Sequence, residues 1–457
     1  MAEIDGSSVA SGRPPGPRGS WLIGSMADYN ADPLAFVSST VREYGDFVPL
    51  RLGPIRALLL SDPNAIESVL VEHNKSFRKS AGVRRLATLL GNGIFLSEGA
   101  PWLRHRRLMQ PALNRASVDL HAETMVERIA AALDRWATTD VIDVVPETHR
   151  LALEIATQTL FGADVAEIEA REIGEAMGVA SAQLQTRVSS LLMFLPDWVP
   201  TPGNRRMNAA IARLDKLVFR VIDERRRSSE QRDDLLGLLL AESGRAETAM
   251  TDRELRDEVI TLLVAGHETT AITLAWAMYE IARHPLVGAE LREEAIVVLG
   301  PDRSPTPSDL HSLPVTGGIV NEILRLYPAG YLTAREAIAD VAIAGHAVKK
   351  GTLVLLSQWE QHRDPTTFPD ADVFRPDRWN GDLAGNLKRG EFFPFGLGPR
   401  MCIGASFANM ELMLALPMIG RRFHMEASSP AEPKPVPKLT LNPDRPIRIR
   451  LRPAPAS

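Results

Sequence analysis

Apolar residues three and four apart recur along most of the chain. They predict amphipathic helices in "PLAFVSSTVREYG" from Pro33, "NAIESVLVEH" from Asn64, "TMVERIAAALDRWA" from Thr124, "LALEIATQTLFG" and "RMNAAIARLDKLVFRVIDERRR". Alternation typical of strands is confined to two stretches. "FVPLRLGPIRALLLS" reads as a hairpin turning at Gly53-Pro54, and "VAIAGHAVKKGTLVLLS" as two more strands broken by Gly345 and Gly351. The longest helix is announced by Thr251 and Glu254, a capping pair whose side chains satisfy each other's backbone N–H groups, and it must stop before Pro285. At about 1.5 Å per residue it would span roughly 50 Å, long enough to cross a globular domain. From Val259 to Met278 its apolar residues run almost all the way round, as expected of a buried helix. The fold class is therefore mainly α with small β-sheets, the β-rich parts lying near 45–62 and 340–357.

Composition narrows the classes of function. The net charge of −5 over 457 residues gives no basis for a nucleic-acid partner. No window is expected to serve as a membrane span, which takes roughly 20 apolar residues. The first residues, "MAEIDGSSVASGRPPGPRGS", lack the apolar segment of a signal peptide. Residues 1–18 are expected to be flexible and 19–457 to form one domain, in a cytoplasmic protein without a membrane anchor. A single cysteine, Cys402, rules out an intramolecular disulfide.

Two stretches carry candidate chemistry. "AGHETT" (265–270) places Glu268 and Thr269 inside the apolar helix. An unpaired buried carboxylate costs several kcal/mol, so an acid beside a hydroxyl, just after Ala265-Gly266, suggests a notch with a proton relay. The simpler alternative is a hydroxyl bonding back to the preceding turn, with His267 a satisfied core histidine or a solvent-facing one. The second stretch, "FGLGPRMCIG", sets Cys402 among Gly396, Gly398 and Gly404, just before a helical pattern. A helix N-terminus and the nearby Arg400 favour a thiolate. An inert buried thiol and a nucleophile are the alternatives, but no Cys/His signature frames the site. One cysteine is too little for zinc or an iron–sulfur cluster; it suffices for a haem iron, whose macrocycle brings four nitrogens.

The segment Phe395-x-x-Gly398-x-Arg400-x-Cys402-x-Gly404 resembles the haem-ligand loop of the cytochromes P-450. "AGHETT" is similar to that family's oxygen-activating motif, "EILR" (322–325) to its Glu-x-x-Arg pair, and "FRPDRW" (374–379) to a later Phe-x-Pro-x-Arg-Trp segment. "WLRHR" (102–106) resembles its Trp-x-x-x-Arg helix, and "TAREA" brings Arg335 to a familiar basic position. The motifs follow the family's order and spacing from about residue 30 to 450, with no signature position missing.

The resemblance implies a long central helix over a buried haem b, with Cys402 as the axial ligand of the iron. Trp102, Arg106, Arg335 and Arg400 would bind the two propionates, and Ala265, Gly266, Phe395 and Gly404 would line the macrocycle. Glu268 and Thr269 would pass protons to bound O2. Glu322, Arg325 and Arg378 would lock as a buried triad that props the cysteine loop, although a surface pair is the default for acid and base three apart. His105 and Arg107 are expected at the surface. With no flavin or iron–sulfur domain in the chain, electrons would come from a separate ferredoxin and ferredoxin reductase, docking on Arg104, Arg107, Lys388 and Arg389. The implied activity is a monooxygenase, acting as a monomer on a hydrophobic small molecule. A terpenoid is the first expectation, a fatty acid or macrolide the next; a peroxygenase and a non-catalytic haem sensor or carrier are the other readings. Substrate walls are expected at 81–96, 179–198 (with Met193, Phe194 and Trp198), 262–269, 329–333 and 439–441.

Overall fold

The computed structural model describes residues 14–162, single positions between 174 and 182, and residues 199–228, 234–243, 250–381 and 383–454. The chain divides into two compact units. The substrate wall expected at 179–198, with Met193, Phe194 and Trp198, lies almost wholly outside the described residues, as do residues 1–13.

The first unit comprises the described residues up to Arg84 together with Gly330–Val373 and Leu383–Cys402. Its frame is a five-stranded sheet. The predicted hairpin pairs Phe47–Leu52 with Ile55–Leu60, Leu52 standing opposite Ile55. Gly53, with φ +60°, makes the turn. Leu353–Leu356 adds in parallel to the second hairpin strand, Thr333–Ala337 follows, and Phe77–Lys79 closes the edge. The stretch 341–357 yields three strands rather than two, because Gly345 and Gly351 each take positive φ and reverse the chain. Alternate side chains bury two apolar layers. Leu58, Leu60, Ile66, Leu70, Phe77, Val354, Leu356 and Phe393 form one; Val48, Leu50, Leu59 and Leu355 form the other.

The second unit comprises Arg85–Ala329, Phe374–Asp382 and Ile403–Ser457 and is mostly helical. Its axis is the predicted long helix, Asp252–Arg283, opened by the predicted capping pair: Thr251 Oγ1 accepts from Glu254 N at 3.2 Å, and Glu254 Oε2 accepts from Thr251 N at 2.9 Å. This helix lies along Val144–Phe161, while Ala405–Arg422 packs on Ala122–Trp136 and Pro285–Leu299. Trp276 anchors the lower half of the axis. Its ring stacks on Tyr327 at 4.1 Å between centroids, and its Nε1 donates to the Leu441 carbonyl at 2.9 Å. A three-stranded sheet of Val141–Asp143, Arg448–Pro453 and Phe423–Ala427 was not foreseen, since such short strands show no usable alternation.

Candidate active site

The cysteine loop belongs to the first unit. Phe393 is buried, and its N–H donates to Nε2 of the buried His362 at 2.9 Å. Gly396 N then donates to Phe393 O, Met401 N to Gly398 O, and Cys402 N to Phe395 O, at 2.9, 3.0 and 2.8 Å. These bonds need sharp reversals, which Gly396 and Gly398 supply with φ of +74° and +68°. A Cβ on Gly398 would stand 2.3 Å from the Leu70 carbonyl oxygen, so the loop lies directly on the π-helical segment Ser68–Glu72. The result is a stiff loop that ends on an exposed thiol, Cys402. Phe395 and Arg400 are half-buried in the same loop. Arg335, also half-buried, sits mid-strand between Lys79 and Val354 of its neighbours. Gly404 follows in the second unit as the N-cap of the Ala405–Arg422 helix.

In the second unit, Trp102 and Arg106 lie four apart on Gly99–Met109, both half-buried. Arg106 Nε donates to Gln110 at 3.3 Å. Arg107 is exposed, as expected, but His105 is not a surface residue. It is buried, with Nδ1 2.6 Å from Oε1 of the fully buried Glu258 on the long helix. The other Glu258 oxygen accepts from Ile94 N at 3.0 Å, and Asp257 accepts from Asn92 N at 2.8 Å. Two adjacent carboxylates thus clamp residues 92–94, part of an expected substrate wall. Periodicity within "HRR" marks a basic helix face; only the packing against the long helix selects His105 from that run.

The "AGHETT" segment interrupts the burial of the long helix. Ala265 is exposed and Gly266 and Thr269 are half-buried, whereas Val264, His267, Glu268 and Thr270 are buried. Ala265 and Thr269 are one turn apart, so the opening is a single strip along the helix. Thr269 Oγ1 donates to the Ala265 carbonyl at 2.7 Å, which spends its proton and leaves the lone pairs to accept. Glu268 points away from solvent and accepts from Thr440 Oγ1 at 3.0 Å. Burial pushes its carboxyl above the usual range, opposed by the Thr440 bond and the Lys438 charge. Of the two simpler readings, His267 is the core histidine and not the solvent-facing one: its Nε2 lies 3.0 Å from His149 Nδ1, and burial holds both imidazoles well below their ordinary value. Nothing in "LTLNPD" marked Thr440 as the partner of the acid; that pairing joins residues far apart in the chain.

Glu322 and Arg325, on Pro314–Leu326, are both wholly buried, not a surface pair. One carboxylate gathers Arg325 Nε and Nη2 at 2.9 and 2.7 Å and Arg378 Nε at 3.0 Å. Trp379 Nε1 and Arg375 N also donate to it, each at 2.9 Å.

Among the described residues no three His, Cys, Asp or Glu side chains gather as a ligand set for a bare metal ion. The chain's single cysteine, exposed on a hydrogen-bonded loop with the Arg400 guanidinium nearby in the chain, fits a group that brings its own equatorial ligands. The comparisons with known proteins agree. The cytochrome P450 family profile matches residues 14–451. The chain is a cytochrome P450. Cyclooctat-9-en-7-ol 5-monooxygenase of Streptomyces melanosporofaciens is 36% identical over 92% of this chain and 89% of its own length. Pentalenene oxygenase of Streptomyces avermitilis is 34% identical over 94% and 95%. The crystal structure of a cytochrome P450DA heme domain superposes with a TM-score of 0.87 at 27% identity, covering 97% of this chain and 98% of the other. This P450 is a haem-containing monooxygenase that uses O2 and redox partners to oxidise a hydrophobic small molecule.

Proposed function

We propose that this cytochrome P450 hydroxylates a terpenoid, with Cys402 holding the iron of haem b and Glu268 and Thr269 acting together in proton delivery, the acid as proton source and the hydroxyl as hydrogen-bond acceptor. The observation that carries the proton role is the pairing of a buried, Thr440-bound acid with the next residue's hydroxyl at an open strip midway along a buried helix. The haem supplies the binding and reductive activation of O2, and a thiolate ligand favours O–O cleavage. The protein's own residues do the rest. Gly396 and Gly398 aim Cys402, whose thiol is fixed by the bond from its own N–H to Phe395 O. Arg335 and Arg400, with Trp102 and Arg106, offer donors for propionates, which guanidinium groups bind as a fork. With its own proton held by the Ala265 carbonyl, Thr269 would accept a hydrogen bond where the oxygen reacts. Glu268, kept more basic than a surface glutamate, takes up and releases the proton.

The terpenoid reading rests on the relatives named for cyclooctatin and pentalenene and on apolar residues at the expected walls, Ala265, Ala329 and Leu332. Electrons would come from a ferredoxin and its reductase, meeting Arg104, Arg107, Lys388 and Arg389 of a cytoplasmic monomer. Arg104 is already paired with Glu254, and Arg389 lies 3.5 Å from Glu67, so the exposed Arg107 and Lys388 carry more of that role. The test is an optical titration of the haem-loaded protein with cyclic terpenes, fatty acids of several lengths and one macrolide. A spin-state shift with a terpene, followed by its hydroxylation in a ferredoxin-driven assay, is expected. A shift only with a fatty acid or the macrolide overturns the substrate class.

A further inference from the structure

Residues 20–24, "SWLIG", form a tight turn closed at both ends. Ser20 N donates to Gly24 O at 2.9 Å and Gly24 N to Ser20 O at 2.8 Å. The turn is riveted to the first hairpin: Ser25 N donates to Arg51 O at 2.7 Å and Gly53 N to Ile23 O at 2.9 Å. Arg51 Nη2 donates to the Ser20 carbonyl at 2.5 Å and also to the Trp21 carbonyl. Gly24, with φ +59°, allows the approach, since a Cβ there would meet Arg51 O at 2.0 Å. At the tip of this stiff turn Trp21 is 86% exposed and Leu22 64% exposed. No large apolar residue among the described ones is more exposed than Trp21.

Arginines flank the turn, with one exposed acid, Asp28, on the helix that follows it. Arg18, Arg51 and Arg56 are exposed, and Arg51 and Arg56 face each other across the hairpin. We propose that this turn is a lipid-docking tip, seating Trp21 and Leu22 among the headgroups of an anionic bilayer while the three arginines meet phosphates. Size favours a lipid surface over a protein. Two side chains fall far short of the roughly 800 Å² per partner of a stable protein interface. Shallow insertion of an aromatic and an aliphatic residue beside basic groups is enough for reversible membrane contact. For an enzyme of hydrophobic substrates, contact with the phase where they collect shortens their path to the site.

The experiment is sedimentation of the haem-loaded protein with phosphatidylcholine vesicles and with phosphatidylcholine–phosphatidylglycerol vesicles, at low and high salt. Binding to the anionic vesicles, weakened by salt, is expected. The double variant Trp21→Ser, Leu22→Ser should lower partitioning about tenfold or more, with haem content and melting unchanged. Arg56→Gln should weaken binding to the anionic vesicles only. Equal binding of wild type and double variant overturns the proposal, as does equal binding to both vesicle types. A concentration-dependent dimer that the double variant abolishes would assign the tip to a second copy and likewise overturn it.

Discussion

Glu322→Gln tests the buried triad most sharply. The wild-type carboxylate accepts five donors, and both it and Arg325 are fully removed from water. Glutamine keeps the volume but loses the charge, and its amide turns N–H groups toward donors. Arg325 is left as an uncompensated buried cation, a loss of roughly 3–5 kcal/mol. The donors from Trp379 and Arg375 overlap with that figure instead of adding to it, because they share one acceptor group. Against a total stability of about 5–15 kcal/mol this is roughly a fifth or more. Urea unfolding followed by haem absorbance and circular dichroism should therefore show a lower midpoint with little change in slope. Arg325→Met should cost less, since Arg378 and the Trp379 and Arg375 donors still compensate the carboxylate. A Glu322→Gln loss below about 1 kcal/mol, or a greater loss in Arg325→Met, would refute the reasoning.

Thr269→Ala should retain haem and substrate binding but lower product formed per electron consumed roughly tenfold or more, the remainder appearing as peroxide; unchanged coupling would remove Thr269 from the relay. Gly398→Ala forces a left-handed φ on alanine and drives its Cβ into the Leu70 carbonyl. A loss of about 2–4 kcal/mol and lower haem occupancy are expected, read by denaturation and the pigment-to-protein ratio. Glu411 is fully buried, and burial raises its carboxyl well above the ordinary 4.5. The stability of its neutral form is complete below that value and is lost as pH rises through the elevated folded one. Glu411→Gln removes that loss. Its melting temperature should therefore gain on wild type as pH rises above the ordinary glutamate range, and a constant difference would contradict the assignment.

Much of the fold was legible because its signals are local. The long helix carries its own start in Thr251 and Glu254 and its own stop in Pro285, and its apolar girth announces burial. The Gly53 hairpin and the glycine-kinked cysteine loop are likewise written in adjacent residues. The short strands at 77–79, 141–143 and 448–453 were not legible, because their pairing depends on segments far away in the chain.

The site divides in the same way. Residue type and spacing singled out Cys402, Glu268 and Thr269, since thiolate ligation and proton transfer each need particular atoms, whereas the Glu322–Arg325–Arg378 set was implied only by the family resemblance. Tertiary structure decided what those atoms meet. It buried Glu322 and Arg325 where helical spacing alone allows a surface pair, drew His105 inward to Glu258, gave Glu268 its Thr440 partner, and left Trp21 standing out in solvent. Burial and long-range partners follow from how distant segments pack, and no window of sequence contains both halves of such a contact.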